Sequence, residues 1–380
     1  MSDKNNRTEA AVRLIESSPQ IHHNQSTASI MWCVVLALVP AGAWGVYMFG
    51  FRALTVMLAS IAAAVISEAL IAGALKKFTL DDGSAVLTGL LIGFNMPPAV
   101  PLYIPVIASV FAIVVVKWTF GGLGGNWMNP ALAGRVFVFF SWTGPMTGWT
   151  MPASLASDAV SAATPLGILK TGLIDYSGSL QGPAAFLKGN GYPGSADGVS
   201  AFFAPLFGGG GEGTLYADLF TGNVAGCIGE VSALLLILGA LFLFFKKIIT
   251  WEIPFTYLAS FALLTWIFGG LRYNAGYFTG DVLFHLFTGG LMLGALYMAT
   301  DMVTSPLSGK GMIIYGTGIG FLTFLIRFYG SFPEGVSLAI ILMNIFVPMI
   351  DRYTGPLRFG IAQKGMLEKF TERMKREEKA

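Results

Sequence analysis

Asp158, Ser161, Ala163 and Thr164 lie within seven residues, Asp158-Ala159-Val160-Ser161-Ala162-Ala163-Thr164, and Pro165-Leu166 follow. By itself the stretch reads as a polar turn with a Ser and a Thr in it; the chemistry it could offer is modification of the threonine hydroxyl. Such a hydroxyl must be free and on an accessible segment, and the small residues Ser161, Ala162 and Ala163 let a modifying enzyme approach the backbone closely. Pro165 disfavours the helical conformation at Thr164 and holds it extended. The other reactive side chains offer less. Cys33 and Cys227 sit in separate apolar runs with no CxxC spacing, and read as small buried hydrophobes rather than iron–sulfur or zinc ligands. His22 and His23 are adjacent and cannot share one helix face, and His285 is far from both in the chain, so metal binding is not expected.

The chain around these residues is built for lipid. Of its 380 residues 54% are hydrophobic and 12% charged, with mean hydropathy +0.67; a soluble protein carries about 25% charged residues. The composition predicts an all-α polytopic membrane protein in a lipid bilayer, with no nucleic acid among its partners. Stretches of about 20 apolar residues cross a bilayer as helices. Ten are legible, at about 30–49, 53–75, 84–96, 102–120, 128–146, 222–245, 251–271, 281–300, 311–328 and 335–352. The third is short and runs into Asn95-Met96-Pro97-Pro98. A broken helix is expected there, its freed backbone lining a cavity rather than facing lipid.

Loop charge sets the orientation. With the N-terminus in the cytoplasm, sixteen Lys and Arg residues fall inside, eight of them in the tail from Arg352 to Lys379. Outside fall Arg52, Lys170, Lys188, Arg272 and Arg327. The expected divisions are a cytoplasmic segment at 1–29 with no visible signal peptide, a first transmembrane bundle at 30–146, an extracytoplasmic loop at 147–221 carrying Thr164, a second bundle at 222–352, and a basic cytoplasmic tail at 353–380.

Faint internal echoes suggest that the bundles are two inverted five-helix repeats, an arrangement common in transporters. Thr88-Gly89-Leu90-Leu91-Ile92-Gly93 is echoed by Gly289-Gly290-Leu291-Met292-Leu293-Gly294, and Met128-Asn129 by Met343-Asn344. Gly316-Thr317-Gly318-Ile319-Gly320 lies inside an apolar span, where glycine signals close helix packing. Ionisable groups in spans are expensive unless paired or wet. Asp281, Asp301 and Arg327 fall close to predicted helix ends and read as structural anchors, whereas Glu68, Lys117, Arg135 and Glu230 are candidates for a polar interior. Arg135 follows Gly125-Asn126-Trp127-Met128-Asn129-Pro130, a polar helix entry of the kind that binds anions.

Taken together, these motifs resemble a known family. Asp158-x-x-Ser161-x-Ala163-Thr164 resembles the D-x-x-S-x-A-T sequence at which flavin transferases attach FMN. With Leu87-Thr88-Gly89-Leu90-Leu91, Gly121-Gly122-Leu123-Gly124-Gly125-Asn126, Asn129-Pro130-Ala131, Gly226-Cys227-Ile228-Gly229-Glu230, Met298-Ala299-Thr300-Asp301, Pro333-Glu334-Gly335 and Asn344-x-x-x-Pro348-x-Ile350-Asp351, the chain resembles the D subunits of Rnf complexes, the ion-translocating ferredoxin:NAD oxidoreductases. It is more distantly similar to the B subunits of sodium-translocating NADH:quinone reductases. The resemblance covers about residues 17–360. It implies FMN held covalently through a phosphoester at Thr164, a second, noncovalent flavin such as riboflavin, and a place in the bacterial inner membrane among the other subunits of a redox-driven sodium or proton pump, with a flavin transferase needed for maturation. The contrasting reading is a channel or secondary transporter of inverted-repeat fold, moving a small solute without redox chemistry. The Thr164 motif separates the two.

Overall fold

In a computed structural model the structure describes residues 26–76, 80–152, 161–172, 182–189, 192, 199–208, 210–330, 332 and 334–355. Asp158, the N-terminal segment to residue 25 and the tail from 356 onward lie outside the described residues. The expectation of an all-α membrane protein holds. Five helices are long and apolar enough to cross a membrane: Thr27–Phe49, Phe51–Leu75, Glu252–Tyr273, Gly309–Tyr329 and Val336–Thr354. Shorter apolar helices stand at Ser84–Phe94, Tyr103–Trp118, Pro130–Ser141 and Ala233–Phe245. The long helices carry large exposed apolar side chains such as Leu36, Ile66, Leu70 and Phe255, which on a spanning segment face lipid.

The interruptions position the site. The helix Ser84–Phe94 stops where the sequence anticipates, and the carbonyls freed after it do not face lipid. Phe94 O accepts from Gly229 N–H at 3.0 Å, Met96 O from Ile228 N–H at 3.1 Å, and Asn95 O from the Cys227 thiol at 3.4 Å. The 222–245 stretch is therefore not one span. Its first part, through Gly222–Glu230, is a non-helical segment laid against the first break, and the helix proper is Ala233–Phe245, capped by the Ser232 hydroxyl on Leu235 N–H. The 281–300 stretch is broken too, into Val282–Phe287 and a short helix from Leu291 that ends as one π-helical turn, Gly294–Met298. Backbone at membrane depth must be satisfied by protein, and the breaks satisfy it by pairing with one another and with a buried arginine.

The echoed stretches meet this architecture. Thr88–Gly93 and Gly289–Gly294 both lie at interrupted helices. Asn129 and Asn344 come together, the Asn344 amide 3.1 Å from Asn129 N. Close packing at Gly316 and Gly320 is observed: a β-carbon there would come within 2.9 Å of Ile253 O and 2.7 Å of Tyr257 O, so the helices Gly309–Tyr329 and Glu252–Phe268 touch backbone to backbone.

Candidate functional site

Thr164 precedes the helix Pro165–Gly172 and caps it. Its hydroxyl oxygen accepts from Gly167 N–H at 3.1 Å, and Pro165 takes the first helical position, where its missing N–H is no loss. A two-residue antiparallel ladder brings the chain to this point, pairing Trp149 with Ala162 and Thr150 with Ser161. Thr164 is only 6% exposed, which corrects the expectation of an accessible hydroxyl. Packing of the short helix is the cause: Leu166 and Leu169 are buried in the main core, and Lys170 donates to Phe332 O at 2.6 Å and Arg327 O at 3.2 Å. Partial burial, then the positive charges of Arg272 and Arg327, push the Lys170 amine down to about 8. Thr164 lines a cleft with Glu230, Phe287, Gly290 and Glu334.

Two of these residues, Glu230 and Glu334, belong to a buried polar cluster centred on Arg135. Arg135 reaches Glu230 at 3.2 Å and is hydrogen-bonded to the Glu334 carboxylate. It also donates to Asn95 Oδ1 at 2.9 Å and Ser337 Oγ at 2.7 Å, with Cys227 Sγ at 3.7 Å. Two glycines with positive φ allow this convergence. Gly335 (φ 70°) turns the chain between Glu334 and the helix bearing Ser337, and Gly290 (φ 65°) lies where a β-carbon would strike the Glu230 carboxylate. One guanidinium shared by two carboxylates keeps the buried charges satisfied, so Arg135 is not the free anion ligand its helix entry suggests. That entry is self-capped: Asn129 Oδ1 accepts from Ala131 and Leu132 N–H at 3.0 and 3.3 Å. Cys227, Glu230 and Glu334 have ligand atoms within 4.8 Å of one another, but Arg135 already supplies the countercharge a cation would.

Arg327 departs from the sequence reading. It is not a helix-end anchor in the solvent. It is 4% exposed, and its guanidinium donates to His285 O at 2.5 Å and to Thr288 O and Gly289 O at 3.2 Å, the carbonyls freed by the break in the 281–300 stretch. Glu68 and Lys117 form a second buried cluster, Nζ lying 2.7 Å from both carboxylate oxygens and 2.6 Å from Ser84 Oγ. Two larger clefts adjoin these clusters. One is lined by Lys117, Asn126, Asn129, Tyr297 and Asp301 among others; Asn126 is buried and its Oδ1 has no partner among the described residues. The other is lined by Phe139, Phe140, Trp149 and Phe332 together with Arg135, Glu334 and Ser337. Glu334 was invisible as a cluster member in the sequence, where it reads as a loop residue ahead of a span.

A family model described as NQR2, RnfD, RnfE matches residues 14–360. The chain belongs to this family. Among curated relatives, the D subunit of a proton-translocating ferredoxin:NAD(+) oxidoreductase complex of Clostridium ljungdahlii is 44% identical over 347 residues, covering 91% of this chain and 96% of the relative. The D subunit of a Na(+)-translocating ferredoxin:NAD(+) oxidoreductase complex of Acetobacterium woodii is 42% identical over 353 residues, covering 92% and 96%. The D subunit of an ion-translocating oxidoreductase complex of Yersinia enterocolitica is 36% identical over 355 residues, covering 91% and 98%. The expected likeness to the Rnf D subunits is thus borne out along nearly the whole chain. Two relatives of nearly equal identity are named for different ions, so overall similarity does not choose between proton and sodium. The matched part of this family member includes Thr164, both buried clusters and the three clefts.

Proposed function

We propose that this chain is the membrane subunit of a redox-driven ion pump, carrying FMN as a phosphoester on Thr164 and passing electrons between ferredoxin and NAD within a multi-subunit complex that exports sodium or protons. The observation that carries the attachment site is the state of the Thr164 hydroxyl. Its oxygen accepts a bond from Gly167 N–H, while its hydrogen meets no acceptor among the described residues. Esterification would break no donated hydrogen bond, and it would place a negative phosphate at a helix N-terminus, where the backbone dipoles favour it. The flavin, when bound, supplies one- and two-electron transfer. The chain's own residues supply the anchor at Thr164 and the buried charge cluster of Arg135, Glu230 and Glu334 near it. The Asn126 cleft supports a second, noncovalent flavin such as riboflavin, because a buried amide oxygen without a partner is an acceptor awaiting a donor. Ferredoxin and NAD would meet partner subunits, with both termini cytoplasmic and the Thr164 loop on the outer face of the inner membrane.

Burial of Thr164 adds a requirement for maturation: a flavin transferase must act before the helix Pro165–Gly172 docks, or on an opened form. The test is ultraviolet in-gel fluorescence after SDS denaturation, on chain made with a flavin transferase. Wild type and Thr164→Ser should give a fluorescent band and Thr164→Val none. A band in Thr164→Val would mean another attachment residue, and no band in wild type would leave the redox role without its carrier.

A further inference from the structure

We propose that a pocket between the helix Pro165–Gly172 and the C-terminal ends of the helices Glu252–Tyr273 and Gly309–Tyr329 is a phosphate-binding site, filled by the headgroup of an anionic phospholipid. Lys170, Arg272, Tyr273, His285 and Arg327 line it. Three positive charges thus converge, and no salt bridge joins any of the three to a carboxylate among the described residues. Lys170 gives two of its three N–H donors to Phe332 O and Arg327 O, and keeps one. Arg327 is bonded to carbonyls alone, those of His285, Thr288, Gly289 and Glu334. The nearby acids are engaged elsewhere: the Glu334 carboxylate by Arg135, and Asp281 by the Tyr216 hydroxyl and Phe284 N–H. Carbonyl dipoles solvate a cation but leave its charge, and charges gathered without a countercharge are costly at membrane depth. The crowding is felt at Lys170, whose amine is pushed down to about 8 by burial and by the charges of Arg272 and Arg327. An anion in the pocket would neutralise this cluster.

A second observation is independent of charge. His285 is 3% exposed, and its Nδ1 meets no partner among the described residues. Its Nε2 lies 3.3 Å from the Tyr273 hydroxyl. With Nε2 accepting from that hydroxyl, Nδ1 carries the ring hydrogen and is a buried donor without an acceptor, which folded proteins rarely leave. A phosphate oxygen supplies the acceptor. A lipid headgroup and free phosphate carry the same oxygens, and the surroundings favour the lipid. Arg272 lies at the end of a span and is exposed, as are Leu271, Tyr277 and Phe278 close to it in the chain and Tyr329 at the end of the neighbouring helix. Aromatic rings at span ends mark the headgroup level of a bilayer. A choline headgroup would bring a further positive charge to the cluster, whereas a glycerol headgroup brings none.

The test reads Lys170 directly. Full-length chain is placed in nanodiscs of phosphatidylcholine, with and without phosphatidylglycerol, and pulsed with an amine-reactive ester. Peptide mass spectrometry follows Lys170 and, as a control for surface charge, the exposed Lys188. Phosphatidylglycerol should slow modification of Lys170 several-fold relative to Lys188, because a bound phosphate covers the amine and holds it protonated. Arg272→Gln and His285→Phe, each compared with itself in the two kinds of disc, should lose most of that protection. Equal slowing of Lys170 and Lys188, or slowing of neither, would overturn the site. Equal protection by inorganic phosphate added to phosphatidylcholine discs would keep the phosphate site and overturn the lipid as its source. Chain made without a flavin transferase should behave in the same way; protection confined to flavinylated chain would assign the anion to the flavin and overturn the proposal. Arg272 is exposed, so its variant keeps the experiment decisive even if His285→Phe folds poorly.

Discussion

Thr164 shows how one residue's role changes once its surroundings are known. As part of a polar loop, its hydroxyl would be removable without consequence. As the cap of a packed helix, it has a structural duty, and Thr164→Val should cost about 1 kcal/mol locally, the usual loss when an N-cap oxygen is removed. Thr164→Ser keeps the oxygen and should lose little. Amide hydrogen exchange over Pro165–Gly172, measured without flavin, would show faster exchange in the valine variant alone. Lys170 gives a pH-dependent counterpart. Its folded-state value of about 8 lies below the ordinary 10.5, so the unfolded chain holds its proton where the folded chain has lost it. The docked helix should therefore gain stability as pH rises from about 8 to 10.5, and below that window, where both states hold the proton, this group adds no pH dependence. An amine-reactive ester should modify Lys170 with half-maximal rate near pH 8; a midpoint near 10.5 would remove the effect of burial and of the Arg272 and Arg327 charges.

At the scale of elements, the interruptions carry the site and the uninterrupted helices hold them in place. The 94–96 break pairs with 227–229, and the 288–290 break is held by Arg327. The Glu68–Lys117 pair ties Phe51–Leu75 to the π-helical end of the span that starts at Tyr103. Lys117→Met strips Glu68 of its ammonium while keeping length and apolarity, and should destabilise by about 3–5 kcal/mol, as when one partner of a buried ion pair is removed. The double variant Lys117→Met/Glu68→Leu should regain most of that loss, because no buried charge is stranded. Thermal unfolding in detergent would compare the three proteins, and a neutral Lys117→Met would show that water reaches Glu68.

For the whole molecule, the proposed pump needs sidedness and a coupling group. Lys188 and Lys246 are both exposed, and loop charge puts them on opposite faces. In otherwise unreactive chain, a cysteine at Lys188 should be labelled by an impermeant reagent on intact cells and one at Lys246 should not; the reverse pattern would invert the topology. Coupling points to Glu230 more than to Glu68. Glu68 is held at both carboxylate oxygens by Lys117, whose ammonium also donates to Ser84 Oγ, whereas Glu230 shares a single guanidinium with Glu334. We expect Glu230→Gln to assemble and keep its covalent flavin, yet move fewer ions per electron. Unchanged coupling would mark the cluster as scaffolding.

Local composition and pattern already encode much of this protein. The apolar stretches, the break after Phe94, the close packing at Gly316 and Gly320 and the family were all legible, because hydropathy, Pro–Pro pairs, small-residue spacing and short motifs are properties of contiguous residues. Relations between distant residues had to wait for the folded chain. Glu334 reads as a loop acid until Gly335 turns it onto Arg135, 199 positions away. Arg327 reads as an interfacial anchor until the broken 281–300 stretch presents carbonyls to it. Residues 222–232 look like the start of a span until they fold across the first break. In each case, buried polar groups had to find partners once lipid and core had excluded water. Those partners lie far along the chain, so no window of sequence contains both halves of the bond.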